Sequence, residues 1–335
     1  MKYMKIKSMR DRMGIDNIMR YELVDSNSIF ANEEYKAIVE SANPKNEFSK
    51  INGLREKHIP LKLYRYCPLK EQDKEGIKRL ESDLMGRVYF SSPNKYNDVL
   101  EVPVKEQSQQ AYRAGYRGQG GASEKDLREV VLMACFSERW NNSAMWHHYA
   151  SWHKGFCIEY DMTKLYDMGS ERKTFPATVW GSLNVNEGQS HLLSLFPVLY
   201  SDYRYFCDNF NEYRDVMLES RFDEMVSEKA NFLREMIPAY LVKTLDWENE
   251  KEWRMLWPKA DFYYDNTLFI PENNCIDLSF CVTKVILGLY ADNEIVEKVK
   301  DMAKDMNYSV TRIEIDREKN ILKEKVLHNF ATYVR

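Results

Sequence analysis

The chain has 335 residues, 44% hydrophobic and 13% aromatic, with 48 basic against 52 acidic residues for a net charge of −4. That length suffices for one large domain or two modest ones with a sizeable core, and the near balance of charge excludes a global attraction for nucleic acid or an anionic membrane. The longest apolar runs, such as VVLMACF at 130–136, fall far short of a membrane span, and the opening MKYMKIKSMRDRMG lacks the apolar centre of a secretory signal. Cysteines at 67, 135, 157, 207, 275 and 281 form no close pair, which fits reduced thiols in the cytoplasm better than a disulfide framework or a zinc cluster.

Residues 1–58 read as a polar, partly helical appendage suited to mediating contacts, with NEEYKAIVESANP as a short amphipathic helix stopped by Pro44. Residues 59–335 read as a single α+β domain with a helix-rich insertion at about 163–235. LKLYRY at 61–66 predicts a strand closed by Pro68. A helix over 71–85 follows, with Gly86 in the C-cap role, and then a short strand at 87–93 with Ser91 and Ser92 at its exit. Asn97, Asp98 and Glu101 fall on a loop. The Gly-rich stretch at 105–125 is a linker by composition, without the Gly-Lys-Ser/Thr of a phosphate loop. VVLMACFSE at 130–138 predicts a buried strand, WNNSAMWHHYASWHKG a short helix ended by Gly155, and FCIEYDM at 156–162 another strand. Within the insertion a strand is expected near 196–200 and a long charged helix over 209–234; the chain closes as strand 284–289, helix 292–306 and strand 309–316. The sum is α+β: mixed or antiparallel sheets with flanking helices.

The chemically suggestive stretch is LDWENEKEWRMLW at 245–257. Glu248, Glu250, Glu252 and Arg254 recur at every second position, with Trp247, Trp253 and Trp257 in the alternate phase. In a strand, residues two apart share a face, whereas a helix gives this pattern no apolar stripe. The reading is a loop entering a strand that begins near Glu252. Carboxylates held together raise one another's pKa unless a cation intervenes, and Arg254 and Lys251 are the local candidates. Either this is a solvated acidic face balanced by Arg254, or it is a site.

Arg65, between Tyr64 and Tyr66, either pairs with one of these acids or presents its planar fork to a phosphate. Trp146, Tyr149 and His153 fall at helical steps on one face, as core or as the wall of a pocket for a flat ring. The His147, His148 and His153 spacing does not match a helical zinc site, and Cys157 sits in an apolar strand pattern that makes an inert thiol. Nuclease, hydrolase and kinase motifs are absent.

Three stretches together resemble a bacterial family designated domain of unknown function 2971. They are LYRY (63–66) with VYFSSPNKYND (88–98) and Glu101; CFSE with SAMWHHYASWHKGFCIEYD (143–161); and KTLDWENEKEWRML (243–256) followed by KVILGL. Where the family often has Asn-Asp-Pro, this chain has Asn97-Asp98-Val99. More distantly the pattern is similar to ADP-ribosyltransferase folds with an Arg, Ser, Glu triad. That resemblance implies Arg65 on the phosphates of NAD, Ser91 or Ser92 supporting the nicotinamide pocket, and Glu250-Lys251-Glu252 presenting Glu252 to the nicotinamide-side ribose. Tyr64, Tyr66 or Trp146 would stack on the nicotinamide, with Tyr149 and His153 in the same aromatic wall. It further implies an NAD-dependent ADP-ribosyltransferase or NAD glycohydrolase, such as a toxin or phage-defence effector. NAD would be the substrate, no metal would be required, and the acceptor would be protein, nucleic acid or water. The alternative is a non-catalytic cytosolic sensor or protein-interaction module of a bacterial defence system.

Overall fold

A computed structural model describes residues 23–24, 28–41, 48–69, 74–96, 131–166, 168–169, 172–177, 181–201, 237–258 and 273–329. In chain order the main elements are helices α1 (Glu33–Val39) and α2 (Phe48–His58), strand β1 (Lys62–Cys67), helix α3 (Lys74–Leu84) and strand β2 (Arg87–Tyr89). Next come β3 (Val131–Ser137), α4 (Ser143–Tyr149), β4 (Phe156–Asp161), β5 (Leu195–Pro197) and β6 (Glu252–Pro258). The last are β7 (Val282–Leu287), α5 (Asn293–Met306), β8 (Ser309–Asp316) and β9 (Ile321–His328). Eight strands form one sheet in the order β9-β8-β7-β4-β1-β3-β6-β5. Every neighbouring pair is antiparallel except β7 and β8, which lie parallel across the α5 crossover. The α+β expectation therefore holds, with a mostly antiparallel sheet.

Each element follows from its local sequence. Asn32 caps α1 by accepting the Tyr35 N–H at 3.0 Å, and Asp292 caps α5 by accepting the Glu294 N–H at 2.8 Å, satisfying donors that helix starts leave open. Gly86 closes α3 at φ +78°, and any side chain there would collide with the backbone of Ser279. In β6 the phases separate: Trp253, Met255 and Trp257 face the main core, while Glu252 and Arg254 point to the other face.

The main core gathers apolar side chains from α1, α2, α3, α5 and the sheet; burying each residue such as Phe136 or Leu287 contributes roughly 1.5–3 kcal/mol. A smaller cluster on the opposite face joins Tyr64, Tyr66, Met145, Trp146, Ile286 and Ile313, so α4 covers that side.

Of the residues expected as a polar appendage, Ile29, Phe30, Tyr35, Ile51 and Leu54 lie in the main core. The Tyr35 hydroxyl donates to the Val198 carbonyl at 2.6 Å, and Arg55 donates to the Leu195 carbonyl at 2.7 Å. In the insertion, the described residues form a hairpin (Arg172–Ala177 with Gly181–Asn186), the helix Glu187–Leu193 and the edge strand β5. The charged helix expected over 209–234, the loop bearing Asn97, Asp98 and Glu101, and the Gly-rich stretch at 105–125 lie outside the described residues.

Candidate functional site

The sheet opens between β1 and β3. These two strands share one register pair, Tyr64 with Ser137. Farther along, β3 is paired instead with Ser91, which exchanges two backbone hydrogen bonds of 2.9 Å with Met133. β1 therefore leaves β3 after Tyr64, and a cleft of about 320 Å³ occupies the gap. Side chains from both faces of the strands reach it: Tyr64, Arg65 and Tyr66 from one lip, Cys135, Phe136 and Ser137 from the other.

Its carboxylates come from the Trp and Glu stretch. Leu245–Glu250 is a 3-10 turn ended by Lys251 in the left-handed conformation at φ 47°, and β6 begins at the next residue. Glu250 and Glu252 converge on the buried ammonium of Lys243, whose Nζ lies 2.6 Å from Glu250 Oε2 and 3.1 Å from Glu252 Oε2. Arg254, two residues along the same strand face, holds Glu252 Oε1 through Nε at 2.9 Å and donates to the Tyr240 carbonyl at 2.7 Å. The Tyr149 hydroxyl donates to Glu250 Oε1 at 2.7 Å, and the Tyr200 hydroxyl accepts the Glu252 N–H at 2.8 Å. Ser137 Oγ donates to the Glu250 carbonyl at 2.6 Å, locking turn to strand.

These surroundings drive the two acids apart. Burial and the neighbouring Glu252 charge raise the Glu250 pKa, which Lys243 only partly offsets. Burial acts on Glu252 in the same sense, but the charges of Arg254 and Lys243 outweigh it and hold its carboxyl below the usual range. The two carboxyls are thus shifted in opposite directions, the pattern by which paired acids can take different roles.

A second charged group comes from β1, α3 and the segment after β2. Arg65 donates to Asp83 Oδ1 at 3.2 Å and reaches the Tyr89 carbonyl at 3.5 Å. Arg79 lies 3.9 Å from the same carboxylate, and Lys95 stands over the Tyr89 ring at 5.8 Å. Two cations, Arg65 and Arg79, thus share the carboxylate of Asp83, and both line the cleft together with Lys95.

The cleft brings together Tyr64, Arg65, Tyr66, Ser91, Tyr149, Glu250 and Glu252, as expected from the sequence. Ser92, Trp146 and His153 stand outside it. Ser92 precedes the 3-10 turn Pro93–Lys95 as its N-cap. Trp146 is fully buried, donates through Nε1 to the Trp140 carbonyl at 2.6 Å and meets Tyr66 edge-on at 5.2 Å, so it supports the cleft wall from behind. His153 is not on the helix at all, because α4 stops at Tyr149 and Ser151, Trp152 and His153 run left-handed at φ 48°, 58° and 64°. Gly288 lets that turn approach, since a side chain there would strike the His153 carbonyl. Nor do the acids share one face: Glu248 lies on the turn, half exposed, and pairs with Lys251 at 2.8 Å. Arg65 pairs with Asp83 rather than with Glu248, Glu250 or Glu252.

Sequence reasoning missed Lys243, Tyr200, Ser137 and Tyr96, whose hydroxyl donates to the Met133 carbonyl at 2.8 Å in the cleft wall. Lys243 was findable as a lone cation after the apolar run AYLV at 239–242. The two tyrosines and the serine act through single hydroxyls that no spacing announces.

A family model described as protein of unknown function (DUF2971) matches residues 145–255, a span that includes Tyr149, Lys243, Glu250 and Glu252. No curated protein and no solved structure matches the chain. The match supports the family resemblance and leaves the ADP-ribosyltransferase relationship without support. Among the described residues, no helix is long and apolar enough to cross a membrane.

Proposed function

We propose that the cleft binds NAD, with the nicotinamide riboside against Glu250 and Glu252 and the phosphates toward Arg65, Arg79 and Lys95. The protein then cleaves the nicotinamide–ribose bond as an ADP-ribosyltransferase or NAD glycohydrolase. The observation that carries this is the meeting of Arg65, Ser91 and Glu252, far apart in sequence, around one cleft that also gathers surplus cations. At about 320 Å³ the cleft lies at the small end of ligand pockets, roughly 300–1,000 Å³, a size for one half of a dinucleotide.

In the reaction the bond between C1′ and the nicotinamide nitrogen breaks, and its electron pair neutralises the pyridinium as nicotinamide leaves. The ionised Glu252 faces the sugar cation that develops, and a preorganised charge stabilises it more than water does. The oxygen of water or of an acceptor hydroxyl bonds to C1′. Its proton passes to the Glu250 carboxylate and on to solvent, a role that suits an acid whose pKa is raised toward the working pH.

One observation favours a binding-only module instead: both oxygens of Glu252 are already held, by Arg254 and Lys243. Titrating NAD into the full-length protein by calorimetry, with nicotinamide release followed in parallel, separates the two. Catalysis predicts binding that weakens about tenfold or more in Arg65→Ala, the scale of one charge-assisted contact, together with release. Binding without release supports the module, and no binding overturns the NAD proposal.

A further inference from the structure

A second cavity, of about 400 Å³, lies behind the acid-bearing turn, between α1 and Leu245–Glu250. Phe30, Tyr35, Val39 and Tyr200 give it aromatic and apolar walls, and Glu40 and Glu248 stand at it with Lys36. The Lys36 ammonium is held at 3.2 Å by Glu33, a carboxylate outside the cavity lining.

One cation already uses this wall. Lys251 Nζ sits 5.4 Å from the Phe30 ring centroid and 2.8 Å from Glu248 Oε1, so a π face and a carboxylate hold an ammonium together. Lys251 is also the left-handed residue between Glu250 and Glu252, and Tyr200, in the cavity wall, accepts the Glu252 N–H. The same contacts that would recognise a ligand therefore fix the geometry of the carboxylate pair.

We propose that this cavity binds a small aromatic amine, which displaces Lys251 from Phe30 and Glu248 and thereby loosens the Lys251 hinge that sets Glu250 against Glu252. The ring lies in the cavity beside Phe30, Tyr35 and Tyr200, whose own rings already meet at 5.6 and 5.9 Å, and the ammonium takes over the Glu248 and Glu40 carboxylates. Coupling between the cavities is reciprocal, so anything that tightens the carboxylate pair weakens the amine. This inference does not depend on NAD cleavage.

The test uses the full-length protein with tryptamine, and with indole-3-acetate as a probe of like shape and opposite charge. Calorimetry gives affinity, and amide hydrogen exchange over 245–252 reports the hinge. The expected result is saturable tryptamine binding, no comparable indole-3-acetate binding, and faster exchange at Lys251 and Glu252 on saturation. Glu40→Lys, an exposed change outside the first cleft, weakens tryptamine about tenfold, the scale of one charge-assisted contact. Val39→Phe, which fills the cavity, abolishes binding; its melting temperature is checked first, and if it fails to fold Glu40→Lys decides alone. Equal binding of both probes, no tryptamine binding, undiminished affinity in Glu40→Lys, or saturation without change at 251–252 each overturns the proposal.

Discussion

At the scale of single residues, Lys243 decides the state of the cleft. Its buried ammonium is shared by two carboxylates, and removing one member of such a group leaves a charge uncompensated at a cost of about 3–5 kcal/mol. Lys243→Met is therefore expected to lower stability by that order in chemical denaturation, and the double change Lys243→Met with Glu250→Gln to recover part of it. A loss below about 1 kcal/mol in the single variant would mean that the ion pairs are solvated, against their burial. Glu56 carries the clearest pH signature. Burial outweighs the charges of Arg55 and Lys57 and pushes its carboxyl from 4.5 up to about 7. The folded state therefore binds its proton more tightly, so the stabilising contribution is complete below pH 4.5 and is lost as pH rises through about 7. Partial exposure reduces the loss to about 2 kcal/mol. Glu56→Gln should flatten the stability profile between pH 5 and 8 measured by denaturant titration, and an unchanged slope would assign that dependence elsewhere. Glu252 has the opposite sign, contributing stability above the ordinary carboxylate range and losing it only in acid.

At the scale of elements, the turn before β6 shows what a sequence does and does not disclose. The alternation of Trp253, Met255 and Trp257 against Glu252 and Arg254 is a period of two, and the strand start near Glu252 was legible from it. Extending that alternation back to Glu248 fails, because Leu245–Glu250 coils as a 3-10 turn and Lys251 reverses the backbone. Left-handed geometry costs any residue with a Cβ about 1–2 kcal/mol and glycine almost nothing, and a β-branched residue fits it worst. Lys251→Val should therefore lose stability while Lys251→Gly, which relieves the strain as it gives up the Glu248 contact, stays within about 1 kcal/mol of wild type, as read from thermal melting. Equal losses in both would show that the Lys251 side chain, rather than its backbone, matters. The turn after α4 hid His153 for the same reason, since three left-handed residues in succession carry no sequence signature. Strand β9 also escaped notice: it is an edge strand whose Ile321 and Val326 are exposed, so ILKEKVLH shows no buried face.

At the scale of the whole molecule, the class was legible and the assembly of the site was only partly so. Strands β1, β3, β4, β6, β7 and β8 each announced themselves by apolar runs or alternation, but nothing in LYRY or VVLMACF states that their ladder breaks after one pair. That break creates the cleft, and it depends on Ser91 pairing with Met133 from a segment 42 residues earlier, a contact beyond local sequence. The first helices looked detached because α2 is rich in charge, yet Arg55 is buried by donating to Leu195 and standing 4.2 Å over the Phe196 ring. A buried guanidinium of this kind is invisible to composition.

The most direct measurement is the initial rate of nicotinamide release from ring-labelled NAD by the full-length protein and by Glu252→Gln, at equal concentration and with matched melting curves. Release by the wild type and a fall of about 10²–10³-fold in the variant are expected, the scale of removing one preorganised transition-state contact. Equal rates in the two proteins, or no release by either, would contradict it.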